Sequence, residues 1–322
     1  MRGISHARRV MLSFPFRGRG KELRLLTFHE TFKINENMTF VEEGVKRVSL
    51  KNLRLSETDL DFLVETAHPG IVDKVKLKRI IKEDEEFRNS FITDQKVFRR
   101  LMDDEEIFLK ISPTLFFEIL LRKVARDLKG ASFTVERTGT MKIAVFDAKE
   151  VVEFLTRESL LDYLANMLSS FIRIESYTIS FEVGKGVWEK ARFSDSDIFS
   201  LMGICDMVGE EHRFGPYKRI ADICLFILGV FPDYVESEYR YPFSGQVRPQ
   251  FRGKARISPE EYEKEGRKFY KLAAEHQAAR ELKMVEVLEA LHENFEKAKE
   301  PLNFITEHYL QHERQEMFGQ RT

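Results

Sequence analysis

Residues 112–130 read SPTLFFEILLRKVARDLKG, and they decide the fold. Ser112 offers a hydroxyl to the first free backbone N–H groups, and Pro113 stands at the first helical position, where its missing N–H is harmless. Phe117, Leu121, Val124 and Leu128 then recur at the spacing of one helix face until Gly130 ends the run.

The same pattern extends in both directions. Upstream, Ser56-Glu57-Thr58-Asp59 precedes Leu60, Phe62, Leu63 and Val64 as a capped helix start, and His68-Pro69-Gly70 stops that helix. Two amphipathic stretches follow, Ile71 to Lys82 and Glu85 to Met102. Downstream, helices are expected over Asp147 to Phe154, Arg157 to Ile172, from a Ser194-Asp195 cap to Val208, and from Tyr217 to Val230. Ser258-Pro259-Glu260-Glu261 is a capping box that opens a helix running to Glu300, where Pro301 is expected to end it. Gly266 is read as a bend in its first half. Met284, Leu288, Leu291, Phe295 and Ala298 form a seam for a partner helix, on the body or on a second subunit. A last helix, Leu302 to Phe318, is expected to fold back antiparallel.

Extended signals are few. Ser132–Arg137 and Met141–Phe146, separated by Thr138-Gly139-Thr140, read as a β-hairpin over 132–146. Tyr177 to Val183 reads as a further strand. The expected fold is mainly α: a basic, β-leaning N-terminal region (1–55), a helical body with its hairpin and a basic aromatic loop (56–257), and a C-terminal helical pair (258–322).

Composition narrows the class. The 322 residues are 43% hydrophobic with 28 Phe, ample material for a core, and the 33% charged residues nearly cancel to a net charge of −1. That balance gives no global attraction to nucleic acid or anionic lipid, so such binding requires a local patch. Seven Gln and seven Asn beside abundant Lys, Arg and Glu suggest a thermophilic source. Cys205 and Cys224 lie in apolar stretches and read as small buried hydrophobes of a reducing compartment. The longest apolar run, Ile220 to Phe231, contains Asp222 and is too short to cross a bilayer. The N-terminus lacks a signal-peptide core, and Met11 is an alternative start. A cytoplasmic location without membrane contact is expected.

Candidate sites are local. Between Tyr239 and Arg256, Arg240, Arg248, Arg252, Lys254 and Arg256 alternate with Tyr241 and Phe251 and no acid intervenes. Guanidinium groups neutralise phosphates and rings stack on bases, so this loop is a candidate surface for an anionic or protein partner. Arg17 and Arg19 sit in a second basic segment, with seven Lys or Arg against Glu22 in the first 24 residues. Asp222, embedded among Ile220, Ala221, Ile223 and Cys224, needs a cationic partner; Arg219 is the nearest candidate, and Arg213, Arg219 and Asp222 define a possible polar pocket. His308 and His312 share a helical face but lack further ligands, so no metal or other cofactor is expected. Walker, nucleophile-elbow and dinucleotide-binding patterns do not occur. The resulting expectation is a non-enzymatic interaction or scaffold protein with a protein partner or a second copy of itself. A nucleic-acid-associated protein, or a hydrolase or ribonuclease of unrecognised type, are the alternatives.

Overall fold

A computed structural model describes residues 55–104, 106–138, 141–145, 147–172, 176–184, 187–194, 197–232 and 258–310. The described chain is mainly helical. Its elements are α1 (Glu57–Ala67), α2 (Lys74–Glu83), α3 (Glu85–Ile92), α4 (Gln95–Asp103), α5 (Ile107–Lys110), α6 (Pro113–Leu128), β1 (Thr134–Thr138), β2 (Met141–Val145), α7 (Ala148–Leu155), α8 (Glu158–Ser170), β3 (Ser176–Gly184), β4 (Val187–Ser194), α9 (Ile198–Met207), α10 (Phe214–Val230), α11 (Pro259–Glu275), α12 (Gln277–Glu281), α13 (Val285–Glu293) and α14 (Phe295–His308). The N-terminal region 1–54 and the loop 239–256 lie outside the described residues.

The chain divides into two compact units. In the smaller, the described part is Tyr177–Gly184 and Val187–Arg192, from the two-stranded β3–β4 sheet. The larger holds all the helices among the described residues. Within it, β1 and β2 pair antiparallel, with Val135 opposite Ala144 and Thr138 opposite Met141.

The helix starts follow their caps. Ser56 closes a capping box with Asp59, and Asp59 also accepts from the Ser112 backbone N–H at 2.7 Å, so one carboxylate fastens α1 to the head of α6. Ser112 caps α6 through the Leu115 N–H, and Ser258 and Glu261 form the box that opens α11. At α9 the cap is Asp197 rather than Ser194, because its carboxylate accepts from the Phe199 N–H.

Two of the expected helices are broken in the structure. The run Glu85 to Met102 breaks in two, since the Thr93 backbone leaves the ladder and Asp94 caps a new helix through the Lys96 N–H. The expected 258–300 helix is divided among α11, α12, α13 and the start of α14. His276 Nδ1 caps α12 by accepting from the Ala278 N–H, and Lys283, in the left-handed region at φ 57°, turns the chain into α13. Asn294 then breaks the helix, and Pro301 sits inside α14 instead of ending α13. The C-terminal helical pair is therefore a run of four helices.

Helix α10 lies at the centre, with Ile220, Ala221, Ile223, Cys224, Leu225, Phe226 and Ile227 all buried. It packs against α9, α11 and α14, while α6 packs against α7, α8 and α14. The seam Met284, Leu288, Leu291, Phe295 and Ala298 is fully buried within this body, so it is not left for a second subunit. Gly266 does not interrupt α11. It permits close approach: a Cβ there would lie 2.5 Å from Phe295 Cε2 and 2.9 Å from Cys224 Cβ. Gly229 does the same on α10, where a Cβ would meet Leu302 at 2.7 Å.

Candidate functional site

Two groups of charged side chains are enclosed by this packing. The first is centred on Asp222, which the apolar periodicity of α10 carries inward together with its neighbours. Lys218, one turn earlier on the same helix, donates to Asp222 Oδ2 at 2.6 Å. Oδ1 accepts from Tyr163 Oη of α8 at 2.6 Å and from Tyr270 Oη of α11 at 3.0 Å. The Lys218 ammonium lies 4.7 Å from the Tyr163 ring centroid, adding a cation–π contact. Burial, followed by the Asp222 charge, raises both phenols well above their ordinary range, so both remain hydrogen-bond donors. Each oxygen of the carboxylate is thus engaged, and the group joins three helices.

This arrangement corrects the partner expected for Asp222. The cation is Lys218, not Arg219. Arg219 donates to Ser170 Oγ at 2.7 Å and stacks over Phe171, with its guanidinium carbon 3.9 Å from the ring centroid. Arg213 donates to the Val208 carbonyl at 3.1 Å and to Glu210 at 2.8 Å. The structure therefore does not gather Arg213, Arg219 and Asp222 into one pocket. Arg17, Arg19, Arg240, Tyr241, Arg248, Phe251, Arg252, Lys254 and Arg256 all lie outside the described residues.

The second group was not foreseen. The i, i+4 spacing of Glu118 and Arg122 on α6 places them side by side, and Arg122 Nε donates to Glu118 Oε1 at 2.9 Å. The same guanidinium reaches across to α8 and grips Glu158 with two bonds, of 3.1 and 2.7 Å. Asn89 of α3 donates to Glu158 Oε1 at 3.1 Å. Arg88 of α3, 8% exposed, and Asp162 of α8 complete the cluster, each acting electrostatically on the others.

Unlike the first, this cluster is not saturated. Glu118, 0% exposed, has its Oε2 without a hydrogen-bond partner, and Asp162 Oδ1, Asn89 Oδ1 and Arg88 Nε are likewise buried and unpartnered. Buried polar atoms in folded proteins are overwhelmingly paired, so four orphans around one ion-pair network set it apart from the Asp222 group. Among the described residues no grouping of His, Cys, Asp and Glu is arranged to hold a metal ion.

Other polar surfaces carry less. An open hollow of about 500 Å³ is lined by Arg100, Asp103, Asp104 and Glu106. Its strongest groups are engaged, Arg100 with Thr66 and the Phe62 ring and Asp104 with Lys110. Cys205 and Cys224 are buried free thiols, and burial pushes Cys205 up to about 11, away from thiolate chemistry. No described helix is long and apolar enough to cross a membrane. No protein-family model matches the chain, and no curated protein or solved structure matches it.

Proposed function

We propose that the protein is a non-enzymatic helical interaction protein that works by associating, with a second copy of itself or with another protein, through its helical surface. One observation carries this reading. Large apolar side chains stand exposed on the first helices and the turn between them: Val72, before α2, at 99%, Val75 at 80% and Leu109 at 82%, with Phe108 partly exposed beside Leu109. Val75 belongs to α2 and Leu109 to α5, both of which pack on α1. Exposed apolar surface of this kind is a common feature of protein-binding faces.

Light scattering across a concentration series tests the proposal. The wild-type chain is expected to associate, and Val75→Ser with Leu109→Ser to shift it toward monomer without loss of helix content. A chain that stays monomeric at every concentration and captures no protein partner contradicts it. The nucleic-acid alternative, which rests on the Tyr239–Arg256 segment and the basic N-terminus, has its own signature. Filter binding that falls steeply between two salt concentrations would assign that function instead.

A further inference from the structure

The unsaturated cluster is short of donors and long on negative charge. Its four orphaned atoms comprise three acceptors (Glu118 Oε2, Asp162 Oδ1 and Asn89 Oδ1) and one donor, Arg88 Nε. Three carboxylates, Glu118, Glu158 and Asp162, share it with two guanidinium groups, Arg88 and Arg122, leaving one negative charge uncompensated. A proton on one of the carboxylates cancels that charge, leaves one bare acceptor fewer and requires no cavity.

Among the described residues the rest of the environment supplies no substitute. On the other helices packed against α8, the charged residues Lys149, Glu150 and Glu153 of α7 and Glu286, Glu289 and Glu293 of α13 are exposed. His292 of α13 is engaged with the Arg267 carbonyl at 2.9 Å. On the neighbouring side, Lys218 and Asp222 are committed to each other and to Tyr163. The cluster must settle its own charge.

We infer that the Glu118–Asp162 carboxylate pair is a proton-binding site, and that loss of its single proton weakens the junction of α3, α6 and α8. The proton bonds to a carboxylate oxygen on entry and leaves to solvent, with no other bond made or broken. Asp162 is the principal acceptor: burial first, then the charges of Glu118 and Glu158, push its carboxyl up to about 7. Glu118 is raised as well, chiefly by burial.

The sign of the effect follows from linkage. A carboxyl whose pKa is higher in the folded than in the unfolded chain stabilises the fold where it is protonated. That advantage declines as pH climbs from the ordinary value of 3.8 toward about 7, and is gone above it. One proton corresponds to a change of about tenfold per pH unit in the unfolding constant. Urea unfolding of the full chain at pH 5, 6, 7 and 8 reads this directly. Between pH 5 and 7 the wild-type unfolding constant is expected to rise about tenfold per unit relative to Asp162→Asn, and the two profiles run parallel above pH 7. Glu118→Gln, which also leaves two carboxylates against two guanidinium groups, is expected to behave like Asp162→Asn. Parallel profiles for wild type and both variants throughout overturn the inference. Should neither variant fold, infrared titration of the wild type decides: a protonated buried carboxyl band that disappears between pH 6 and 8 supports the site, and its absence at pH 6 refutes it.

Discussion

The Asp222 and Arg122 clusters are one residue apart on α8, where Tyr163 belongs to the first and Asp162 to the second, yet they solve the burial of charge differently. Around Asp222 one carboxylate meets three donors from three helices, and every lone pair in use is answered. Around Arg122 the guanidinium is well answered by Glu118 and Glu158, but the surrounding acceptors outnumber the donors. A saturated network fixes one packing arrangement. An unsaturated one depends on what it binds. The comparison teaches that burial and ion pairing alone do not distinguish a structural tie from a responsive site; the tally of donors against acceptors does.

The largest way to break the comparison is Asp222→Ala. It strands the Lys218 ammonium and two buried phenols, and the loss of one partner from a buried charged pair costs about 3–5 kcal/mol. Urea unfolding is expected to show that loss equally at pH 5 and pH 8. A strongly pH-dependent loss would erase the distinction between the two clusters. Gly266→Ala comes next. Its Cβ would press on Phe295 and Cys224, and overpacking of a tight core costs about 1–3 kcal/mol. The expected outcome is a lowered thermal midpoint with unchanged helix content, since the glycine serves contact between α10, α11 and α14 and not a bend.

Asp162→Asn sharpens the contrast. It is expected to raise stability at pH 8 relative to wild type, by about 2–3 kcal/mol to match the hundredfold change in the unfolding constant between pH 5 and pH 7, with the gain shrinking toward pH 5. Chemical denaturation at the two pH values checks both the sign and the trend. The smallest effect belongs to the surface. Lys74 and Glu65 pair at 3.1 Å with about half of each side chain exposed, so Lys74→Ala should change stability by less than about 0.5 kcal/mol. This variant provides the baseline against which buried charges are judged.

How far the sequence shows this in advance varies by feature. The starts at Ser56, Ser112 and Ser258 are legible, because a cap and its first turn are adjacent in the chain. The breaks at Asp94, His276 and Asn294 are not. Each falls in a stretch whose apolar spacing continues across it, and only tertiary packing decides whether the helix bends there or stops. Pro301 shows the same limit in reverse: a residue that disfavours helix interiors is accommodated because Phe295, Ala298, Leu302 and Ile305 bury the face around it.

Asp222 is conspicuous as the sole acid in an apolar run, but its partner is not. Lys218 and Arg219 stand four and three positions before it, both within helical reach, and in the structure the i, i+4 cation makes the pair. Glu118 carries the same signal, an acid between Phe117 and Ile119 followed four residues later by Arg122. That spacing alone points to half of the second cluster. Its other half, Arg88, Asn89, Glu158 and Asp162, comes from two other helices and is assembled only by the fold.

Infrared spectroscopy of the carboxyl groups at pH 6, on wild type, Asp162→Asn and Asp222→Asn, tests the distinction between the clusters most directly. A protonated buried carboxyl present in wild type, absent in Asp162→Asn and retained in Asp222→Asn is the predicted result. A band that survives in Asp162→Asn and vanishes in Asp222→Asn, or no band in the wild type, would contradict it.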